Sequence, residues 1–385
     1  MSWIDFSIDS IAEVVTKGTT PTTYGMPFTE EGVNFIKAEA LNGDATLDKN
    51  GFTYVSEDTH EKLKRSQLCV NDVLITIAGA NVGKCGIVRE HHIPANTNQA
   101  VVIIRVDPKK ASPRFIYYCF KHPRTFSVCQ GMGGQAAQPN INLTVLKSFV
   151  FSGPENPEEQ EKIAERIAKY DDLIENNRRR IQLLEESARL LYQEWFVHLR
   201  FPGHEQVKII DGVPEGWAKE PLENLLVLQR GFDLPISNRI EGNVPIYAST
   251  GINGFHNVAK VKGPGVVTGR SGSLGTVMYV AKDYWPLNTT LWVKEFKKAS
   301  PIFATFLLRA MKLEGYNGGA AVPTLNRNDV HKVDVLCPDA KLMSEFEVQI
   351  ENIFKQIDKL KEYNEKLAQA RDLLLPKLMS GELTV

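Results

Sequence analysis

The stretch 156–197 constrains this chain more than any other. Stepping in fours and threes from Ile163 meets Ile167, Tyr170, Ile174, Asn177, Ile181, Leu184, Ala188, Leu191 and Trp195, a coiled-coil seam with one asparagine in it. A helix of that extent runs on the order of 60 Å at about 1.5 Å per residue. So narrow an apolar stripe demands a partner helix rather than a globular core. The same steps from Phe346 give Ile350, Ile353, Ile357, Leu360, Asn364, Leu367, Arg371, Leu374 and Leu378, again with one asparagine. Asn177 is the fifth layer of the first seam and Asn364 the sixth of the second, so antiparallel pairing of ten layers brings them face to face. Parallel pairing would bury each amide against leucine or isoleucine, at about 1–3 kcal/mol apiece. The chain therefore carries its own antiparallel coiled coil, with Asn177 and Asn364 as the register layer. The alternative is that one or both asparagines sit at the solvated edge of the seam.

Each long helix follows a globular stretch, and the two globular stretches are copies of one another. Trp3, Ile8, Ile11 and Val14 are matched by Trp217, Leu222, Leu225 and Leu228. TIAGANVGKCGIV from Thr76 reads against TGRSGSLGTVMYV from Thr268, and KKASP occurs at both Lys109 and Lys297. GQAAQPNIN ahead of Leu143 answers GGAAVPTLN ahead of Arg327. The expected order is a domain over 1–154, a spacer helix over 155–200, a second domain over 201–338 and a second spacer helix over 339–380. An antiparallel helix pair would relate the halves by an approximate two-fold axis. Short β-branched or aromatic runs such as VNDVLITIAG, AVVIIRV and TLWVKEF, bounded by Gly, Asn and Pro, mark the domains as β-rich. Helices are expected at 113–129 and 301–313, each led by proline. The fold class is α+β: two pseudo-two-fold-related β-rich domains separated by two long helices. Asn156 caps the first helix with Pro157 behind it, and Phe201-Pro202-Gly203 is expected to stop it. Pro376 should kink or fray the end of the second.

Charge and cysteine narrow the setting. Lys+Arg of 45 against Asp+Glu of 46 leaves a net charge of −1, so any nucleic-acid-binding surface must be local. Five cysteines without a C-x-x-C pair argue for reduced thiols in a cytoplasm and against a disulfide frame or zinc site. No apolar run is long enough to span a bilayer, and the start lacks the basic flank of a signal peptide.

AGANVGKC at Ala78 resembles a phosphate loop but has Ala where the first Gly belongs and Cys85 where Ser or Thr would ligate magnesium. It reads as a structural turn shared with GRSGSLG. His91-His92 lacks a third ligand and reads as a loop. No nucleophile elbow, zinc-protease motif or methyltransferase motif is present in the sequence, so binding is expected rather than turnover. The loops hold the side-chain types that reach phosphates and base edges. In the first domain these are Lys17, Thr19, Thr20, Lys37, Asn42, Asn81, Lys84 and Gln135; in the second, Arg230, Asn253, His256, Arg270, Ser271 and Ser273.

The two-copy pattern, the PNIN and PTLN segments leading into each long helix, YQEWF at Tyr192, PEGW at Pro214 and LLLPKLMSGEL at Leu373 together resemble the specificity subunit of type I restriction and modification systems. The resemblance implies that each domain reads one part of a split, asymmetric target in double-stranded DNA and that the helices act as a ruler between the parts. It also implies docking of two modification subunits, which would bring S-adenosylmethionine and methylate adenine, and of restriction subunits that translocate and cut. No cofactor, metal or catalytic residue is then expected on this chain. The competing expectations are a coiled-coil scaffold with β-rich peptide- or glycan-binding domains, and a transferase with an unrecognised site.

Overall fold

The computed structural model describes residues 2–43, 47–79, 81–133, 141–318 and 323–383. Two compact units result, residues 1–180 with 360–385 and residues 181–359. Each therefore contains one domain, the first part of the helix that follows it and the last part of the other helix.

In the first unit a four-stranded antiparallel sheet runs in the order Ala12–Lys17, Val101–Val106, Val73–Thr76, Cys85–Ile87. The order in the second is Leu226–Arg230, Thr290–Phe296, Gly265–Gly269, Val277–Val280. A smaller three-stranded sheet accompanies each: Phe52–Val55, Val33–Ile36, Ala95–Thr97 in the first, and Gly251–His256, Val244–Ala248, Trp285–Pro286 in the second. In both, the middle strand pairs antiparallel on one side and parallel on the other. The internal repeat is thus a repeat of topology. Val73, Leu74 and Ile75 are fully buried because the sheet is covered on both faces, by the helix Pro113–Lys121 on one and the smaller sheet's cluster on the other.

Hydrogen bonding corrects the alignment of the copies. Thr76 and Gly269 donate to the carbonyls of Lys84 and Thr276; Ile77 and Arg270 donate to Ala100 and Thr289; and Ile141 and Leu325 donate back to Ile77 and Arg270. Thr76 is thus the counterpart of Gly269, one residue off the ungapped match with Thr268. The offset arises because the first loop is one residue longer between its two left-handed glycines, Gly79 and Gly83 against Gly272 and Gly275. A tight turn needing glycine at both ends is what the phosphate-loop look-alike is for.

The first long helix covers Pro157–Tyr192 and the second Ala340–Met379. Asn156 Oδ1 accepts the Glu158 amide at 2.9 Å, and Asp339 Oδ1 accepts that of Leu342 at 3.0 Å, so each start is capped. Every seam residue is buried or half-buried. Within the first unit Asn177 Nδ2 donates to Asn364 Oδ1 at 2.9 Å, and Arg371 pairs with Asp171 six residues earlier; the helices form an antiparallel coiled coil. In the second unit Tyr192, Trp195 and Phe196 gather on Phe346, with ring centroids 5.9, 5.9 and 5.1 Å away.

The helix ends differ from expectation. The first does not run to Phe201: after Tyr192 it widens into a π-type turn over Gln193–Val197, which keeps Tyr192, Trp195 and Phe196 all on the side of Phe346. Phe201 lies beyond it, buried and 5.1 Å from Trp217. The second helix passes through Pro376 without fraying, held by buried Leu375, Leu378 and Met379 on the last turns. Packing there outweighs the donor that proline deletes. The helix expected over 113–129 is two, Pro113–Lys121 and Pro123–Gly133, broken at His122 where the next residue is proline.

Candidate nucleic-acid interface

At one end of each larger sheet, several loops meet. In the first domain Gly18 and Thr19 donate to the carbonyls of Val101 and Thr97, Ile77 donates to Ala100, and Ile141 donates to Ile77. A Cβ on Gly18 would run into the carbonyls of Thr97 and Asn98, so only glycine lets the 17–20 loop lie this close to the 97–100 loop. The second domain repeats the device: Gly231 donates to Thr290, Phe232 donates to Pro286, and a Cβ on Gly231 would strike the carbonyl of Leu287.

These contacts bring most of the first domain's candidates together. Lys17 and Thr20 are half-buried in the first loop, and Thr19 is buried, its hydroxyl accepting from Arg65 at 3.3 Å. Asn81 donates to the Ala38 carbonyl at 3.5 Å, and Lys84 runs beside Gly43, so the loop with Lys37 and Asn42 adjoins the 77–84 loop. Lys37 Nζ stands 4.9 Å over the Phe28 ring. Gln135 lies outside the described residues.

In the second domain Arg230, Arg270, Ser271 and Ser273 meet in the same way. Arg230 Nη2 is 3.5 Å from Asp233, and Arg270 Nη1 lies 3.5 Å from the carbonyl of Asn288. Both guanidiniums retain donors for an anion or a base edge. Asn253 and His256 sit apart, on the smaller sheet. The backbone and side-chain oxygens of Asn253 both take Arg239, at 2.6 and 3.1 Å. His256 is buried, accepts the Ile240 amide through Nδ1 at 3.0 Å and packs edge-on to Trp285. Its ring props the 236–240 loop and faces inward.

Sequence reasoning missed the residues that join these groups. Lys260 Nζ lies 5.1 Å from the Phe232 ring and 5.7 Å from Trp285, linking the Arg230 loop to the His256 sheet through a cation between two aromatic faces. Arg65 does comparable work behind Thr19. Nothing local in the chain marks either, because their neighbours are distant in sequence.

The copies share a backbone but differ where it presents side chains. Lys17 is the counterpart of Arg230, Thr19 of Phe232, Ile77 of Arg270 and Lys84 of Thr276. His92, buried with its Nδ1 accepting the Arg89 amide, is a structural group of the first domain; burial pulls its pKa down to about 4. Among the described residues no cluster of His, Cys, Asp or Glu could hold a metal, and no helix is long and apolar enough to cross a membrane.

Residues 2–186 match the family described as type I restriction modification DNA specificity domain. The match over that first part, with the full-length relatives that follow, indicates a type I restriction specificity subunit. The MjaIX specificity subunit of Methanocaldococcus jannaschii is 23% identical over 99% of this chain and 94% of its own length. The EcoBI specificity subunit of Escherichia coli is 31% identical over 38% of this chain and 31% of its own. Among solved structures, the S subunit of a type I restriction-modification system from M. genitalium shares the fold, with a TM-score of 0.56 at 17% identity, over 98% of this chain and 96% of that one. Each of these relatives is named as a specificity subunit.

Proposed function

We propose that this specificity subunit reads a bipartite, asymmetric DNA target, one half through each domain, 1–154 and 201–338. The paired helices set the separation of the halves and offer their outer face to two modification subunits. What carries the reading is one loop platform built twice with different side chains at matched backbone positions, above all Arg270 against Ile77. Equal platforms address equal grooves, and unlike side chains read unlike bases. Lys17, Lys37 and Lys84 on one platform, and Arg230, Lys260 and Arg270 on the other, supply local positive charge for phosphates that a net charge of −1 does not. Thr20, Asn42, Asn81, Ser271 and Ser273 are base- or sugar-contacting candidates, as are Asn253 on the smaller sheet and Gln135, which lies outside the described residues. Thr19 and His256 support the loops from within. Methyl transfer, with S-adenosylmethionine, and cleavage then fall to the modification and restriction subunits.

The test mixes the full chain with its modification subunit and selects from a random duplex pool across salt. Enrichment of two short motifs at one fixed separation is expected. Enrichment of a single unsplit motif, or of none, would overturn the reading.

A further inference from the structure

The first domain meets the first long helix across a face that shape alone does not lock. Ala164 and Ala168 are buried in one apolar cluster with residues of the helix Pro113–Lys121, but a cavity of about 220 Å³ lies beside Ala168, bordered by Tyr117, Tyr118 and Asp171. Where packing leaves space, charges make the connection. Asp171, with 2% of its side chain exposed, receives Arg371 of the other long helix at 2.7 Å, Lys121 at 3.2 Å and the Tyr118 hydroxyl at 2.9 Å. Lys121 and Arg371 are themselves only 10% and 12% exposed. Farther along the helix, Arg89 of the domain reaches Glu175 at 2.8 Å and Asp172 at 3.3 Å. Asp171 thus joins three elements at one carboxylate: both spacer helices and the domain. Hydrogen bonds to a buried carboxylate are strongly directional, whereas apolar contact tolerates sliding.

We propose that Lys121 and Tyr118 are positioning residues that, through Asp171, fix the angle at which the first domain stands on the spacer helices, and so decide which separations of the two half-targets the subunit accepts. The inference rests on the bipartite reading above. It differs from a ruler made of helix length alone, because the helices can keep their length and register while the domain turns on them. Lys121 is the member to remove: without it Asp171 keeps Arg371, the helix pair stays neutralised, and only the domain's ionic hold on that carboxylate is lost.

The experiment uses the full chain assembled with its modification subunits and duplexes carrying both half-motifs at graded separations. The native subunit is expected to favour one separation sharply. The K121M and Y118F double variant should accept the neighbouring separations to within about tenfold of the best one, while base preference inside each half-motif stays as it was. K121R should restore the narrow preference. An unchanged, sharp preference in the double variant overturns the proposal. So does loss of base preference in one half-motif together with the spacing, which marks the node as a fold support only. If the double variant melts early, K121M alone with R89M replaces it under the same two criteria. Failure of the native subunit to select any split target would instead sink the bipartite reading, so the two failures are distinguishable.

Discussion

The first domain adds a set of carboxylate pairs to its apolar contact with its stretch of helix, whereas the second is fastened by rings. Asp171, Asp172, Glu175 and Glu161 on the first long helix receive Lys121, Arg89 and Arg114 from the first domain. In the second unit Tyr192, Trp195 and Phe196 interleave with Phe303, Phe306 and Phe346, all within about 6 Å, and Trp217 closes the edge. One backbone plan therefore carries two kinds of joint. A buried ion cluster contributes direction more than stability, since desolvation cancels much of the attraction. An aromatic cluster contributes stability and is indifferent to salt. The difference teaches that the repeat preserved strand order and turn geometry while the interface beneath each domain diverged freely.

The comparison breaks first at Phe346, which is fully buried and touches four other rings. Phe346→Ala should cost about 3–5 kcal/mol. The loss should appear as hydrogen-exchange protection falling across 181–359, with the strands Val73–Thr76 and Val101–Val106 retaining theirs. Equal loss in both units would mean that they open as one and that the two joints are not separate.

Acid supplies the next test, through one histidine in each unit. His92 is 3% exposed, and its pKa falls from 6.5 to about 4 because burial disfavours the imidazolium. The folded state holds His92 neutral while the unfolded chain takes up a proton. Stability contributed by the group is complete above about pH 6.5 and is lost as pH falls towards 4, by on the order of 3 kcal/mol. In the second unit His331, which accepts the Leu228 amide at 2.9 Å, is also lowered by burial, though less. Exchange measured from pH 7 to 4 should therefore weaken around 89–97 more than around 226–230, and His92→Asn should flatten the first response. Equal slopes would show that the first unit's buried histidine is not what makes it acid-sensitive.

The same contrast explains what could be read in advance. Helix pairing was legible because a seam is periodic and a lone polar layer has one good partner. Strands and the duplicated topology were legible as apolar runs between turn residues, and most loop candidates converge because the loops connect neighbouring strands. The Asp171 node was not: Asp171 lies off the seam, Lys121 is fifty residues away, and nothing near Arg371 in the chain marks its partner. Lys260 between Phe232 and Trp285 escaped for the same reason. The type of His256 suits DNA, but its strand turns it inward against Trp285. Pattern reveals what repeats along the chain; single tertiary contacts leave no period to find.

The smallest effect separates register from stability in the helix pair itself. Asn177 and Asn364 are half-buried and satisfy one another, so Asn177→Leu should cost about 1 kcal/mol by leaving one amide without its partner. Replacing both with leucine should restore that stability, because an apolar layer needs no hydrogen bond. What it should not restore is uniqueness. Cysteines at 163 and 378, positions that share one apolar cluster in the first unit, should crosslink efficiently in the native background. In the double-leucine background the yield should fall as neighbouring registers fill, even though the melting temperature holds. Undiminished crosslinking would mean that the Asp171–Arg371 pair, nearly two helical turns away at about 3.6 residues per turn, already holds the register, and that the first unit's ionic joint governs the coiled coil as well as the domain.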